Sequence, residues 1–523
     1  MNPSNTSPIK EYPYDAIVIG AGLSGLVASA YLVKAGAKVL ICEQAPKVGG
    51  LFNSFIINGY HFDGGIKAVE NSGMILPTLD QFGLLEKIEF EPSPIAMITG
   101  GKVQPIRAFS DVEDYFTLLS EFFPEEHFGL MHVKQDARAI FNLLSSLMAF
   151  PTPKPGQKLT RQTLGEWFKS NKQALGKFPA VLSLLNKQFH PYLQNHIKND
   201  DLVNLICGLF PDGTTAFFGL GYFAVFLDYW YPIGGIHQIP NALADYIRAQ
   251  GGEIRVNTPV NRILVKEGQA VGIELESGEK ILSGKVISAC DLNQTLTRLS
   301  DPNLLPKKFL KKMQMADVSH SVFNVFIGLD LPPDQLKFDG CHHVFYNPEL
   351  TGISEADRIN REDYFLHVPQ EIAVPSMNQP DLAPPGKTSL NISAMTNWNY
   401  LGGWDKKPKE YARLKDLYAH QMITSLEQYI PNLSDKIEFF EAATPRTIFT
   451  YSGNTHGAIM GWSYDNQRTF KRTSFLRFRS AVLTPIPNLL TAGHWSFTPG
   501  GSPVAALTGK LAADAVIKNL SGN

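Results

Sequence analysis

At 523 residues, with 44% apolar and 18% charged residues, the chain is long enough for two or three lobes and has the composition of a folded globular protein. A formal net charge of -2 excludes general nucleic-acid binding, which needs a broad basic surface. The four cysteines, Cys42, Cys207, Cys290 and Cys341, form no CxxC pair, so neither a disulfide framework nor a metal site is indicated, and a reducing, cytoplasmic setting is expected.

The first fourteen residues are polar, carry Pro3, Pro8 and Pro13, and lack the apolar core of a signal peptide. Residues 15–19 read as a buried parallel strand, residues 23–35 as a helix with Gly36 at its C-cap, and residues 37–42 as a second strand. Gly20-Ala21-Gly22-Leu23-Ser24-Gly25 sits between the first strand and the helix, a GxGxxG pattern. Gly20 allows the tight turn, Gly22 lets a pyrophosphate approach the backbone and the helix N-terminus, and Gly25 lets helix and strand pack closely. Glu43 ends the second strand, 18 residues after Gly25, where a carboxylate accepts from ribose hydroxyls.

Residues 100–228 read as mostly helical and rich in Phe and Leu. The uncharged run 214–227 is 14 residues long, too short to span a bilayer. The aromatics of 217–230 read first as core, and second as the wall of an apolar tunnel or a patch that dips into a membrane. After the break at Tyr231-Pro232-Ile233-Gly234-Gly235, a helix over 239–249 and strands over 253–256, 270–275 and 285–289 rejoin the nucleotide domain. Residues 300–470 mix strands with Pro-rich loops. The chain closes with a strand into Gly493, then His494 to Thr498, Pro499-Gly500-Gly501, and a helix over 503–520. A second helix N-terminus aimed into the same fold suits the pyrimidine end of a flavin, so FAD is expected rather than NAD. No second GxGxxG exists: Gly219 and Gly221 open one, but Ala224 takes the third place, and no nicotinamide site is expected. The fold class is therefore α/β, a discontinuous Rossmann-like FAD-binding domain (1–100, 231–300, 470–523) with an inserted α+β substrate lobe (101–230, 301–469).

Four stretches carry a family resemblance: 17–50, His61-Phe62-Asp63-Gly64-Gly65, 231–260 and 489–509, with the Thr-Pro element at 444–451 beside them. They resemble the carotenoid desaturases (phytoene desaturase-like), carotenoid isomerases and retinol saturases, within the wider amine-oxidase-like flavoproteins. The resemblance implies that Gly20, Gly22, Leu23, Ser24 and Gly25 hold the pyrophosphate of FAD and Glu43 its ribose. It places Gly49 and Gly50 along the ADP moiety and Val260 at the adenine end. Gly493, Gly500, Gly501 and Val504 would lie along the ribityl chain and isoalloxazine ring. The sequence departs from many relatives at Leu51, where they carry Arg, and at His494, where they carry Asp.

The implied activity is FAD-dependent oxidoreduction at carbon–carbon bonds of a long apolar isoprenoid or polyene, with desaturation ranked ahead of isomerisation and saturation. Electrons would pass to oxygen or a quinone, or return to the substrate. Lys67, Arg446 and His494 are the acid–base candidates, and each reads equally well as a structural hydrogen-bonding residue. Two alternatives stand beside this: an amine or protoporphyrinogen oxidase, with Trp398, Trp404, Trp462 and Trp495 as material for an aromatic cage, and a non-enzymatic prenyl-protein binder like the Rab escort and GDP-dissociation inhibitor proteins. Lys307-Lys308 with Lys311-Lys312, and Lys471-Arg472 with Arg477 and Arg479, read first as solvated faces and second as docking points for a peripheral protein on an anionic membrane surface. Cys341-His342-His343 has no second ligand cluster and reads as an ordinary loop.

Overall fold

The computed structural model describes residues 12–148, 161–352, 354, 361–465, 467–470 and 475–520. Residues 1–11 and the Lys471-Arg472 pair lie outside the described residues.

The apolar run Tyr14–Ile19 is the centre of a parallel sheet, with Ala16, Ile17 and Val18 fully buried. Val39–Cys42 lies on one side in parallel (Ile17 opposite Leu40) and Lys280–Ser288 on the other (Ile17 opposite Val286). Glu253–Arg255 extends the sheet beyond Val39–Cys42, and Leu489–Thr491 extends it beyond Lys280–Ser288. Three distant parts of the chain therefore build one sheet. The strand Lys280–Ser288 is longer than the reading of 285–289 because it serves two partners. Its first half forms a hairpin with Gln269–Leu275, where Leu282 is exposed, and only its second half joins the buried parallel ladder. The strand Val260–Lys266 alternates too weakly to be read from the sequence and pairs antiparallel with Gln269–Leu275.

The opening helix Leu23–Lys34 is buried over most of its circumference, because the closing helix Ser502–Leu520 and the helix Gln238–Ala249 both pack on it. Glycines set how closely. A Cβ at Gly25 would stand 2.1 Å from the Gly20 carbonyl oxygen, and one at Gly509 would stand 2.5 Å from that of Ser24. The two ends of the chain thus meet backbone to backbone.

A second sheet runs in the order Ile437–Ala443, Ser321–Leu329, Thr388–Thr396, Gln370–Ala373, His343–Asn347, Ile95–Thr99, Lys102–Ile106. Its neighbours are antiparallel except for Ile95–Thr99 beside His343–Asn347. Residues 95–106 already belong to it. Helices between Phe109 and Val225 pack a separate core of Phe, Leu and Tyr beside this sheet. The run 214–227 becomes the helix Ala216–Val225, with Phe223 and then Phe226 inside that core, and Gly219 is pressed against the Phe189 ring. Gly219 and Gly221 are therefore packing positions in a helix rather than a phosphate turn. No helix among the described residues is long and apolar enough to cross a membrane.

The resemblance motifs at 61–65 and 231–260 meet each other, and the Asp63 carbonyl accepts from Asn391 of the second sheet at 3.1 Å. Asp63 accepts from the Tyr231 hydroxyl and from Ser54 Oγ, both at 2.5 Å, and from the Ile236 N–H at 3.2 Å. The small sheet of Val69–Glu70, Tyr229–Pro232 and Phe90–Pro92 continues that join.

Candidate cofactor and substrate site

A cavity of about 400 Å³ opens between the ends of the parallel strands and the face of the second sheet. At its outer end lie Gly20, Gly22, Leu23, Ser24, Glu43, Gly49, Gly50 and Val260, brought together from four segments. Gly22 caps the opening helix with extended backbone (φ -72°, ψ 177°) and no side-chain cap, and no acid stands in the first turn. A Cβ built on Gly22 would meet nothing within 4 Å, so this face of the helix end is open to the cavity. Free N–H groups and the helix dipole leave a cradle for a pyrophosphate there. Glu43 is oriented for a ribose by its own backbone contacts: Oε2 accepts from the Ala21 N–H at 2.7 Å and Oε1 from the Ala45 N–H at 2.8 Å. The remaining lone pairs face the cavity that the carboxylate lines. These features fit FAD.

Gly493, His494, Gly501 and Ser502 bring the chain's other end to the same cavity. The closing helix begins at Ser502, also without an acid in its first turn, so a second helix N-terminus faces the site. His494 presents a neutral ring to the cavity, since burial lowers its pKa to about 4. Leu51 lines the cavity and gives it an apolar wall there.

Four predicted residues do not line the cavity. Gly25 has the packing role given above. A Cβ at Gly500 would be 2.1 Å from the Met460 carbonyl oxygen, and Tyr464 donates to the Gly500 carbonyl at 3.0 Å, so this glycine shapes the turn from behind. Val504 contributes its carbonyl to Thr508 Oγ1, at 2.7 Å, inside the closing helix. Arg446 is corrected as an acid–base candidate. It sits in the helix Pro445–Ser452, donates to the Lys406 carbonyl at 2.9 Å and lies 5.0 Å from the Tyr411 ring centroid.

At the cavity's inner end is a polar cluster that spacing did not reveal. Lys67, predicted, is 5% exposed and meets Glu371 at 2.9 Å, while His343 Nε2 meets the other Glu371 oxygen at 2.8 Å. Burial pushes the Glu371 carboxyl up, but the Lys67 charge and the His343 hydrogen bond outweigh it and hold the carboxyl below its usual range. His343 is not in a loop. It opens the strand His343–Asn347, and its ring stacks on Tyr229 at 5.3 Å between centroids. Glu70, Tyr222 and Tyr229 complete this end. The reading of Cys341-His342-His343 as an ordinary loop is thus corrected at His343. Of the four tryptophans, Trp495 lines the cavity, Trp404 and Trp462 are buried in cores, and Trp398 stacks on His456.

The chain is similar, at 27% identity over 462 residues (83% of this chain, 72% of the other), to chloroplastic prolycopene isomerase of Arabidopsis thaliana. It is similar, at 27% over 543 residues (97% and 86%), to all-trans-retinol 13,14-reductase of Danio rerio. Among solved structures, an oxidoreductase from Methanosarcina mazei shares the fold, with a TM-score of 0.59 at 16% identity over 97% of this chain and 100% of that one. The signature of the flavin-containing amine oxidoreductases matches residues 23–517. The chain therefore belongs to that family, as an FAD-dependent oxidoreductase.

Proposed function

We propose that this flavoenzyme acts on carbon–carbon double bonds of a long apolar polyene of the carotenoid or retinoid type. The observation that carries the reading is the inner end of the cavity. Beyond the nucleotide cradle its walls are Val322, Ile448, Ile459, Met460, Tyr222 and Tyr229, with no nucleophile–base pair, and the Glu371 carboxylate is already matched by Lys67. An apolar chain fits against these walls; of the two carboxyls there, Glu371 is matched by Lys67 and Glu70 is held toward its neutral form by burial, so neither is a ready counter-charge for a cationic amine. The relatives at 27% identity, an isomerase and a reductase of polyenes, support the same reading and favour isomerisation or saturation over the desaturation ranked first from sequence. When bound, FAD supplies the hydride chemistry. The protein's own residues bind and orient: the two helix ends and Glu43 fix the cofactor, and the apolar inner walls exclude water. Electrons pass to oxygen or a quinone, or return to the substrate.

The test is to fill the inner end. Val322→Trp is expected to abolish turnover of carotenoids and retinoids while the protein keeps its flavin spectrum. Unchanged polyene turnover in that variant would remove the inner cavity as the substrate site.

We further propose that the enzyme docks on an anionic membrane, from which such a substrate would be drawn. Short helices within residues 161–187 expose Phe168, Phe178, Leu182 and Leu185 (39–55%) among exposed Lys169, Lys172, Lys177 and Lys187. Apolar tips within a basic field suit a headgroup layer. The helix Lys307–Gln314, with its four lysines beside exposed Met315, is a second basic face. Flotation with anionic liposomes at low salt should carry the protein upward, and Phe168→Ser with Phe178→Ser should leave it at the bottom. A wild-type protein that stays at the bottom would remove the membrane from the account.

A further inference from the structure

Two carboxylates stand at the inner end of the cavity in opposite surroundings. Glu371 is met by the Lys67 ammonium and the His343 ring. Glu70 is met by neutral donors: Ser72 Oγ at 3.1 Å from one oxygen and the Tyr222 hydroxyl at 3.3 Å from the other. No lysine, arginine or histidine among the described residues forms an ion pair with it. The other ionisable groups around it are Asp228, Tyr229, Tyr464 and the matched Glu371–Lys67–His343 set, so no unmatched cation faces it. Its strand, Val69–Glu70, pairs with the strand opening at Tyr229, Glu70 opposite Tyr229. The Tyr222 and Tyr229 hydroxyls are 2.8 Å apart. Glu70, Tyr222 and Tyr229 all line the cavity. A connected run of exchangeable protons therefore leads from a carboxyl group to the wall against which a substrate must lie.

The two environments push the two carboxyls apart. Burial raises Glu70, and Asp228 adds to it, against the weaker pull of the Ser72 and Tyr222 hydrogen bonds. Glu371 is held low by its partners, as described above. Pairs of carboxyls separated in this way divide the roles of proton holder and fixed anion.

We propose that Glu70 is the proton reservoir of this site and protonates a carbon of the bound polyene through the hydroxyl of Tyr222. This rests on the polyene reading above. The Glu70 O–H bond breaks as Tyr222 takes that proton and releases its own, and a C–H bond forms at one end of a double bond. The cation left on the polyene is discharged in one of two ways: by loss of a proton after rotation, which is isomerisation, or by the hydride that a bound, reduced flavin would supply, which is saturation. In isomerisation the proton returned restores Glu70; in saturation water reprotonates it. Glu371 and Lys67 give the same end of the cavity a matched ion pair that does not compete for the proton.

The test has two readouts on the FAD-loaded full chain. With glutamate carboxyls labelled with 13C, the resonance missing from Glu70→Gln is assigned to Glu70 and titrated without substrate. Its titration should lie above the ordinary glutamate value of about 4.3, and that of the resonance missing from Glu371→Gln below it. Titration of the Glu70 resonance near the ordinary glutamate value of about 4.3 overturns the proposal. In deuterated water, turnover of a retinoid and a carotenoid should place solvent deuterium on carbon. Glu70→Gln should lower kcat about 100-fold or more, within the range of general acid catalysis, with the KM for the polyene and the flavin spectrum retained. Tyr222→Phe should reproduce much of that loss. Active wild-type enzyme whose Glu70→Gln variant turns over unchanged overturns the proposal alone. A wild-type enzyme inert to every polyene overturns the reading beneath it, which is a different result. Flavin absorption and the melting temperature of each variant show that it has folded.

Discussion

The two glycines of the opening turn should fail in different ways when each is given a single methyl group. At Gly22 the backbone is already in a region open to alanine, and the added Cβ meets no protein atom within 4 Å. The apoprotein of Gly22→Ala should therefore lose no more than about 1 kcal/mol, the scale of exchanging a helix-capping residue. The methyl projects into the space a pyrophosphate needs. Pushing the phosphate off even one charge-assisted hydrogen bond costs about 1.5–3 kcal/mol, or roughly a 10- to 150-fold rise in the Kd for FAD. At Gly25 the same methyl would stand 2.1 Å from the Gly20 carbonyl oxygen and 3.1 Å from the Ala289 side chain. Helix and strand must separate, and overpacking of this kind costs about 1–3 kcal/mol or more with or without cofactor. Thermal melts of the apoproteins and titration with FAD, followed by flavin fluorescence, read the two effects separately. A Gly22→Ala protein that binds FAD like the wild type, or one whose apoprotein melts as early as Gly25→Ala, would refute the placement of the pyrophosphate.

Lys67→Met should destabilise the fold by about 2–3 kcal/mol, less than a fully buried pair would cost because Glu371 is a third exposed toward the cavity; denaturant midpoints check this. Arg446→Ala should cost about 1 kcal/mol for its contact with Tyr411 and leave FAD affinity unchanged, since the guanidinium faces Lys406 rather than the cavity. Burial holds His494 neutral, with a pKa near 4 against an ordinary 6.5, so its contribution is fully present above pH 6.5 and is lost as the pH falls from there through 4. The loss amounts to about 3 kcal/mol at one site. Melts of apoprotein across that window should show a component that His494→Gln removes. Glu70 has the opposite sign: with its pKa raised, its contribution is fully present below the ordinary glutamate value and is lost as the pH rises from there through the folded value, so Glu70→Gln should remove that decline in stability.

The outer half of the site was legible in the sequence because its chemistry depends on backbone. A strand, a glycine turn and a helix end are contiguous in the chain, and the few residue types they tolerate leave a readable pattern at Gly20, Gly22, Gly25 and Glu43. The closing element, from Gly493 through Gly501, was legible for the same reason. The inner half depends on side chains drawn from five segments. Lys67 and Glu371 are 304 positions apart, and Glu70 and Tyr222 are 152 apart. No spacing records such a meeting. His343 was misread because a His-His pair suggests either a metal or a loop, and the sequence did not show that one of the two rings opens a buried strand against Tyr229. Its signal, a charged or polar residue starting an otherwise apolar alternation, also occurs at Glu371 in Gln370–Ala373. The half-exposed first part of Lys280–Ser288 escaped for a related reason, since a strand that changes partners midway changes its periodicity too.

The most direct measurement is anaerobic. FAD-loaded enzyme, with its flavin oxidised in one series and reduced with dithionite in another, is mixed with a panel of carotenoids, retinoids and amines, while flavin absorbance and the products are followed. The account predicts isomerised or saturated polyene in at least one series and no flavin bleaching by any amine. Bleaching by an amine, with every polyene recovered unchanged from both series, would contradict it.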